Sequence, residues 1–158
     1  MNTSEMILVF GSNTGGIHGA GAARYAMDKR GAKPGVGWGP TGECYAIPTK
    51  GVVHSSHRKM GRQTHVGATL PLLQIERYVQ DFLKYAREHP ELQFQVTCIG
   101  CGLAGLRHED VAPMFKDAPE NCFFDTLWFP FLTTGAGDQP QHRYWGTFEW
   151  ALFRRQQN

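Results

Sequence analysis

With 158 residues and 41% hydrophobic content the chain can bury one real core, so a single domain over residues 1–158 is expected. A net charge of +2 gives no argument of its own for nucleic acid, and no run of about 18 apolar residues argues for a membrane span. The amino terminus carries no basic leader, so the four cysteines read as reduced thiols of a cytoplasmic protein.

The apolar run Met6–Phe10 predicts a buried strand. A loop with Gly11, Gly15, Gly16, Gly19 and Gly21 follows, and Gly19, Ala22, Ala23 and Ala26 then share one helical face. Gly31 can end that helix and Pro34 prevents its continuation. The turn-rich stretch Gly35–Gly42 leads to a short strand, Glu43–Ile47, ended by Pro48. Residues 51–69 hold His54, His57, Arg58, Lys59, Arg62 and His65 with few large apolar groups, which predicts a mobile basic loop.

Leu72, Ile75, Val79, Phe82, Leu83 and Ala86 mark the stripe of an amphipathic helix, with Thr69 as cap, Pro71 in its first turn and Pro90 past its end. Phe94, Val96 and Cys98 alternate with polar neighbours in a strand whose core side includes Cys98. A second glycine loop, Gly100–Gly105, follows at once. His108–Phe115 reads as a short helix capped by Asp110, and Phe123–Leu132 as a strand broken at Pro130. Thr133–Gln141 is loop, and Tyr144–Phe153 fits either period. Strands alternating with helices predict an α/β fold with a largely buried sheet.

Both glycine loops follow a strand and lead into a helix. Such a loop brings backbone N–H groups and the positive end of a helix dipole to one place, an anion site and most often a phosphate site. The spacing matches neither a dinucleotide fingerprint nor a P-loop, so a tight turn with no ligand is the competing reading. Asn13 can position a ribose through both ends of its amide, or simply hold an Asx-turn. His18 can be a general acid/base or a solvated loop residue. Lys50 can contact an anion or only aid solubility.

Cys98 and Cys101 form a CxxC outside the helix start a redox pair needs, and Cys44 and Cys122 supply no second pair for zinc. His54, His57 and His65 can bind metal, but a flexible polar loop is the favoured reading. No metal and no cofactor are expected. The aromatics at Trp128, Phe129, Phe131, Trp145, Phe148 and Trp150 suit core positions or base stacking.

Three segments together resemble the macro-domain-like proteins of phages and bacteria: Phe10-Gly-Ser-Asn-Thr-Gly-Gly-Ile-His-Gly-Ala-Gly-Ala-Ala23, Tyr45-Ala-Ile-Pro-Thr-Lys50, and Ile99-Gly-Cys-Gly-Leu-Ala-Gly105 with Glu109-Asp-Val-Ala-Pro-Met-Phe115. The likeness spans roughly residues 6–122. Residues 51–69 read as an insertion, and 123–158 form a divergent, aromatic-rich end. The resemblance implies a three-layer α/β fold, a mixed sheet flanked by helices, in the cytoplasm of a bacterial host. It implies binding of ADP-ribose or a related NAD-derived nucleotide.

On this chain, Gly11, Ser12, Asn13, Gly19, Ala20 and Gly21 would form the first binding loop, with Asn13 at the distal ribose. Gly100, Cys101, Gly102, Leu103, Ala104 and Gly105 would form the second, and Pro48, Thr49 and Lys50 would lie between. A hydrolase acting on an ADP-ribose ester or 1″-phosphate, with Asn13 and His18 as the catalytic candidates, and a pure binder both fit. A nucleic-acid-binding module built on the basic 50–69 segment and exposed aromatics is the alternative, less favoured. No sequence feature bears on oligomeric state.

Overall fold

The computed structural model describes residues 2–133 and 142–148. Seven strands form one sheet among these residues: β1 Ile7–Asn13, β2 Gly39–Thr41, β3 Cys44–His57, β4 Gly61–Thr69, β5 Phe94–Val96, β6 Cys122–Asp125 and β7 Arg143–Gly146. The helices are α1 Gly21–Arg30, α2 Leu72–Glu88, α3 His108–Val111 and α4 Phe129–Leu132, with short 3-10 turns between some of them. The strand order is β2-β3-β1-β5-β6-β7, with β4 paired to β3. From β3 through β7 neighbouring strands are parallel, and β2 and β4 run antiparallel to β3.

Alternation along β1 builds the three layers. Leu8 and Phe10 point to one face, where they meet their strand partners Cys44 and Ala46 and the small residues Ala23 and Ala26 of α1. Val9 points to the other face with Tyr45, Ile47 and Val96, under α2 and the aromatic cluster of Phe115, Phe124 and Trp128. Small residues on α1 let it lie close to the sheet, while α2 fills its side with Ile75, Val79, Phe82, Leu83 and Ala86. Periodicity predicts that stripe apart from Leu72, which is exposed at the start of the helix.

The same burial on both faces corrects the reading of β5. Gln95 and Thr97 are buried. Gln95 lies on the α1 side and accepts a hydrogen bond from Arg30 Nη1 at 3.4 Å, and Thr97 Oγ1 donates to the Val9 carbonyl at 2.7 Å. Cys98 follows the strand and is only half-buried.

Several boundaries differ from the sequence reading. Residues 51–69 are no loop: with Lys50 they continue β3 and return as β4, a two-stranded ribbon. Pro48 does not end the strand. It pairs with Ser12, where the ladder to β1 shifts register, and such an irregularity tolerates a missing N–H. Thr69 does not cap α2; Pro71 is the N-cap, and Thr69 Oγ1 donates to the Ala104 carbonyl at 2.8 Å. Arg107 rather than Asp110 precedes α3, and Asp110 lies in its first turn.

Phe123–Leu132 holds only the end of β6. Asp125 Oδ1 then accepts from the Leu127 N–H at 2.9 Å, and Pro130 starts α4 instead of breaking a strand. Tyr144 belongs to a strand, while Trp150 and most of the expected 133–141 loop lie outside the described residues. No helix among the described residues is long and apolar enough to cross a membrane.

Candidate functional site

β1 and β5 lie side by side, yet the chain leaves them in opposite directions. After β1 it passes to α1 on one face, and after β5 to α3 on the other, where Val111 joins the α2 side of the core. Diverging connections from adjacent parallel strands open a crevice at their carboxyl ends, the usual ligand position in open α/β sheets. Both glycine loops border it.

Gly11, Ser12 and Asn13, expected in the first loop, belong to β1, and the second loop packs on the two elements that flank the first: a Cβ at Gly11 would stand 3.3 Å from the Gly100 nitrogen, and one at Gly21, the first residue of α1, would stand 3.1 Å from Leu103 Cδ1. Thr49 sits between Gly11 and Gly100: its Oγ1 donates to the Ser12 carbonyl at 3.3 Å, and its methyl would meet a Cβ at Gly100 at 3.4 Å. Pro48 and Thr49 are buried under the crevice, and Lys50 pairs with Asn13 at the edge of the sheet. The two candidate loops and the strand between them therefore form one place.

The first loop is held from within and from behind. Asn13 is buried at the end of β1; its Oδ1 accepts from the Ile17 N–H at 2.9 Å, and its Nδ2 donates to the Ile17 carbonyl at 2.7 Å. Each end of the amide keeps one further hydrogen-bonding position. Behind the loop, Gly37 approaches so closely that a Cβ there would stand 1.8 Å from the Asn13 carbonyl oxygen. Gly35 donates its N–H to the Gly16 carbonyl at 2.9 Å. Sequence reading treated Gly35–Gly42 as a plain turn. Its buttressing role depends on a contact across more than twenty positions, which local pattern does not carry.

His18 is buried, not solvated, with its ring edge-on to Phe10 at 5.5 Å. Among the described residues neither ring nitrogen meets full hydrogen-bonding geometry, the Val36 backbone interacting with the ring only outside it, and Ser12 Oγ is equally buried and has no partner. Burial lowers the His18 pKa, countered in part by the Val36 backbone, so the ring is neutral at pH 7. Buried polar atoms without partners are uncommon in folded chains and mark places where a further group belongs.

In the second loop Gly105 donates to the Gly102 carbonyl at 3.0 Å and Leu106 to the Gly100 carbonyl at 2.9 Å, which folds residues 100–106 into a tight arch. The N–H groups of Gly19, Ala20, Gly102, Leu103 and Ala104 donate to no backbone carbonyl among the described residues. Those of Gly21 and Ala22 belong to the first turn of α1, where no intrahelical acceptor exists.

Cys101 lies in this arch, its thiol pushed up to about 11 by burial and then by Asp110; burial and the Asp125 carboxylate push Cys98 up as well. Both thiols stay protonated at neutral pH, and all four cysteines are free. Among the described residues no three His, Cys, Asp or Glu side chains converge as a metal site requires.

Two shallow clefts lie elsewhere, one on the outer face of α2 around Leu73 and Arg77, the other of about 250 Å³ at the amino ends of the strands around Asn121 and Arg143. The second is lined by Asn121, whose Oδ1 is also buried without a partner, but neither cleft lies at the glycine loops or at the carboxyl ends of β1 and β5, so the crevice is the candidate site. Of the expected stacking aromatics, Trp128 is core and donates to His108 Nδ1 at 3.0 Å, half-buried Trp145 donates through Nε1 to the Val96 carbonyl at 2.9 Å, and Phe129 is exposed. No protein-family model matches the sequence, and no curated protein matches it.

Proposed function

We propose that this chain binds ADP-ribose or a closely related NAD-derived nucleotide in the crevice between β1 and β5. One observation carries the reading: two glycine loops with uncommitted N–H groups border it beside the unpartnered Ser12 hydroxyl and the buried His18 ring. Backbone N–H groups at a helix start suit a diphosphate. The resemblance of the loop motifs to macro-domain-like proteins supplies the nucleotide class. In this reading residues 19–22 and 102–104 hold the diphosphate, and the free positions on the Asn13 amide face the distal ribose.

Hydrolysis of an ester or phosphate on that ribose is the reaction such a site would perform. Loop amides would stabilise charge on the phosphate, and the neutral His18 ring could accept a proton from water. A binder needs the loops alone.

Calorimetry with ADP-ribose tests the reading. Wild-type protein should bind it saturably, and at about 100 times Kd the ligand should add about 2.7 kcal/mol of stability. Gly19→Asp and Gly102→Asp should each abolish binding in a folded protein, since both positions face open space and neither needs a positive φ. Gly21 is a poorer target because its φ of +60° would strain any side chain. Failure to bind ADP-ribose, NAD or AMP would remove the nucleotide reading.

A further inference from the structure

The ribbon of β3 and β4 does not follow from the crevice. β3 pairs with β1 only as far as Lys50, so from Gly51 to His57 it runs beyond the end of β1, about 20 Å at the usual rise per residue. Every residue from Val53 to Arg62 is exposed. No Asp or Glu occurs between Glu43 and Glu76, while Arg58, Lys59 and Arg62 crowd the turn. His57 Nδ1 shapes that turn by accepting from the Lys59 N–H at 3.2 Å. The ribbon also carries Ser55, the cross-strand pair His54 Nδ1 and Thr64 Oγ1 at 2.8 Å, Gln63 and His65, with Val53, Met60 and Val66 as its exposed apolar groups.

We propose that this ribbon is an arm that enters the major groove of duplex DNA. Its charge calls for a polyanion, and an unbroken stretch without carboxylates removes the repulsion that phosphates would otherwise meet. The B-form major groove admits a two-stranded β-ribbon, whereas the A-form groove of duplex RNA is too narrow. Single-stranded nucleic acid calls for aromatic platforms, and no Phe, Tyr or Trp occurs between Tyr45 and Tyr78. A second copy would bring two cationic ribbons together. A nucleotide in the crevice lies a ribbon's length from Arg58 and Lys59, so closure over it is not what places these charges. The inference stands whether or not the crevice binds a nucleotide.

Fluorescence anisotropy with a labelled mixed-sequence DNA duplex tests it on the full chain. If Arg58, Lys59 and Arg62 each meet one phosphate, log affinity should fall with log salt at a slope of about −2.7, so a fourfold rise in salt lowers affinity about fortyfold. The exposed triple variant R58E/K59E/R62E should lose at least about tenfold in affinity at low salt with an unchanged unfolding midpoint. The milder R58Q/K59Q/R62Q should flatten the salt slope, which keeps the test decisive if charge reversal disturbs folding.

Absence of duplex binding, unchanged binding by both variants, or equal affinity for duplex RNA, single-stranded DNA or phosphatidylserine vesicles would overturn the proposal. The variants leave both glycine loops intact, so ADP-ribose titration of the same proteins reports separately on the crevice.

Discussion

The two halves of β3 share one continuous backbone and live in different surroundings. Cys44 to Thr49 are buried throughout; Val53 to His57 are exposed. The first half has β1 on one edge, β2 along part of the other, and core on both faces, with Tyr45 and Ile47 under α2 and Cys44 and Ala46 under α1. Among the described residues the second half is paired with β4 alone. A ladder of hydrogen bonds thus extends well past the core that anchors it. The buried half fixes where Thr49 meets Gly11 and Gly100, and the exposed half is free to present charge.

Substitutions along this line should separate the two halves. Ile47→Ala should cost about 2–5 kcal/mol, because a fully buried side chain leaves a cavity under α2. Chemical denaturation checks it, and a loss under 1 kcal/mol, on the order of a surface change, would deny that this half is core. At the junction, Asn13→Ala should cost about 1–3 kcal/mol by leaving both Ile17 backbone groups without their partner. If Asn13 also reads the distal ribose, ADP-ribose binding should suffer more than AMP binding. Equal losses for both ligands would confine Asn13 to holding the loop.

Beside the junction, His18 gives a pH signature. Its folded pKa is depressed below 6.5, so the unfolded chain takes up the proton first as pH falls. Stability present above pH 6.5 is lost as pH drops from there through the lowered folded value, at up to about 1.4 kcal/mol per pH unit. Half-buried His142 shifts in the same direction and adds to the slope. His18→Gln should flatten the curve; an unaltered slope would assign the acid sensitivity elsewhere. The smallest effect belongs to the exposed half, where Val53→Ala should change stability by no more than about 0.5 kcal/mol. A larger loss would mean that the ribbon is folded against something.

Local pattern was enough for α2 and for the strand-loop-helix order around each glycine loop, because apolar periodicity and glycine clusters are properties of neighbouring residues. The stripe from Ile75 to Ala86 faces the core as its spacing requires. The C-terminal glycine of α1, Gly31, adopts the left-handed conformation expected of it. Residues 51–69 carry no legible strand signal for a physical reason. A strand announces itself by the face it buries, and this ribbon buries neither, so its Val and Thr residues stood without an alternating core side.

Sequence alone determined the α/β class, the composition of both glycine loops and the lack of acidic residues along 44–75, since each is written in consecutive positions. Only tertiary structure decided that the second loop packs on β1 and the start of α1, that Gly37 braces Asn13 and that Thr49 lies between Gly11 and Gly100. It also decided that His18 is buried, with only the Val36 backbone interacting with its ring, and that the basic segment stands out as a ribbon beyond β1. Those facts depend on which strands become neighbours. Strand order follows from how two faces of one sheet are covered at once, a balance over the whole chain that no local stretch contains.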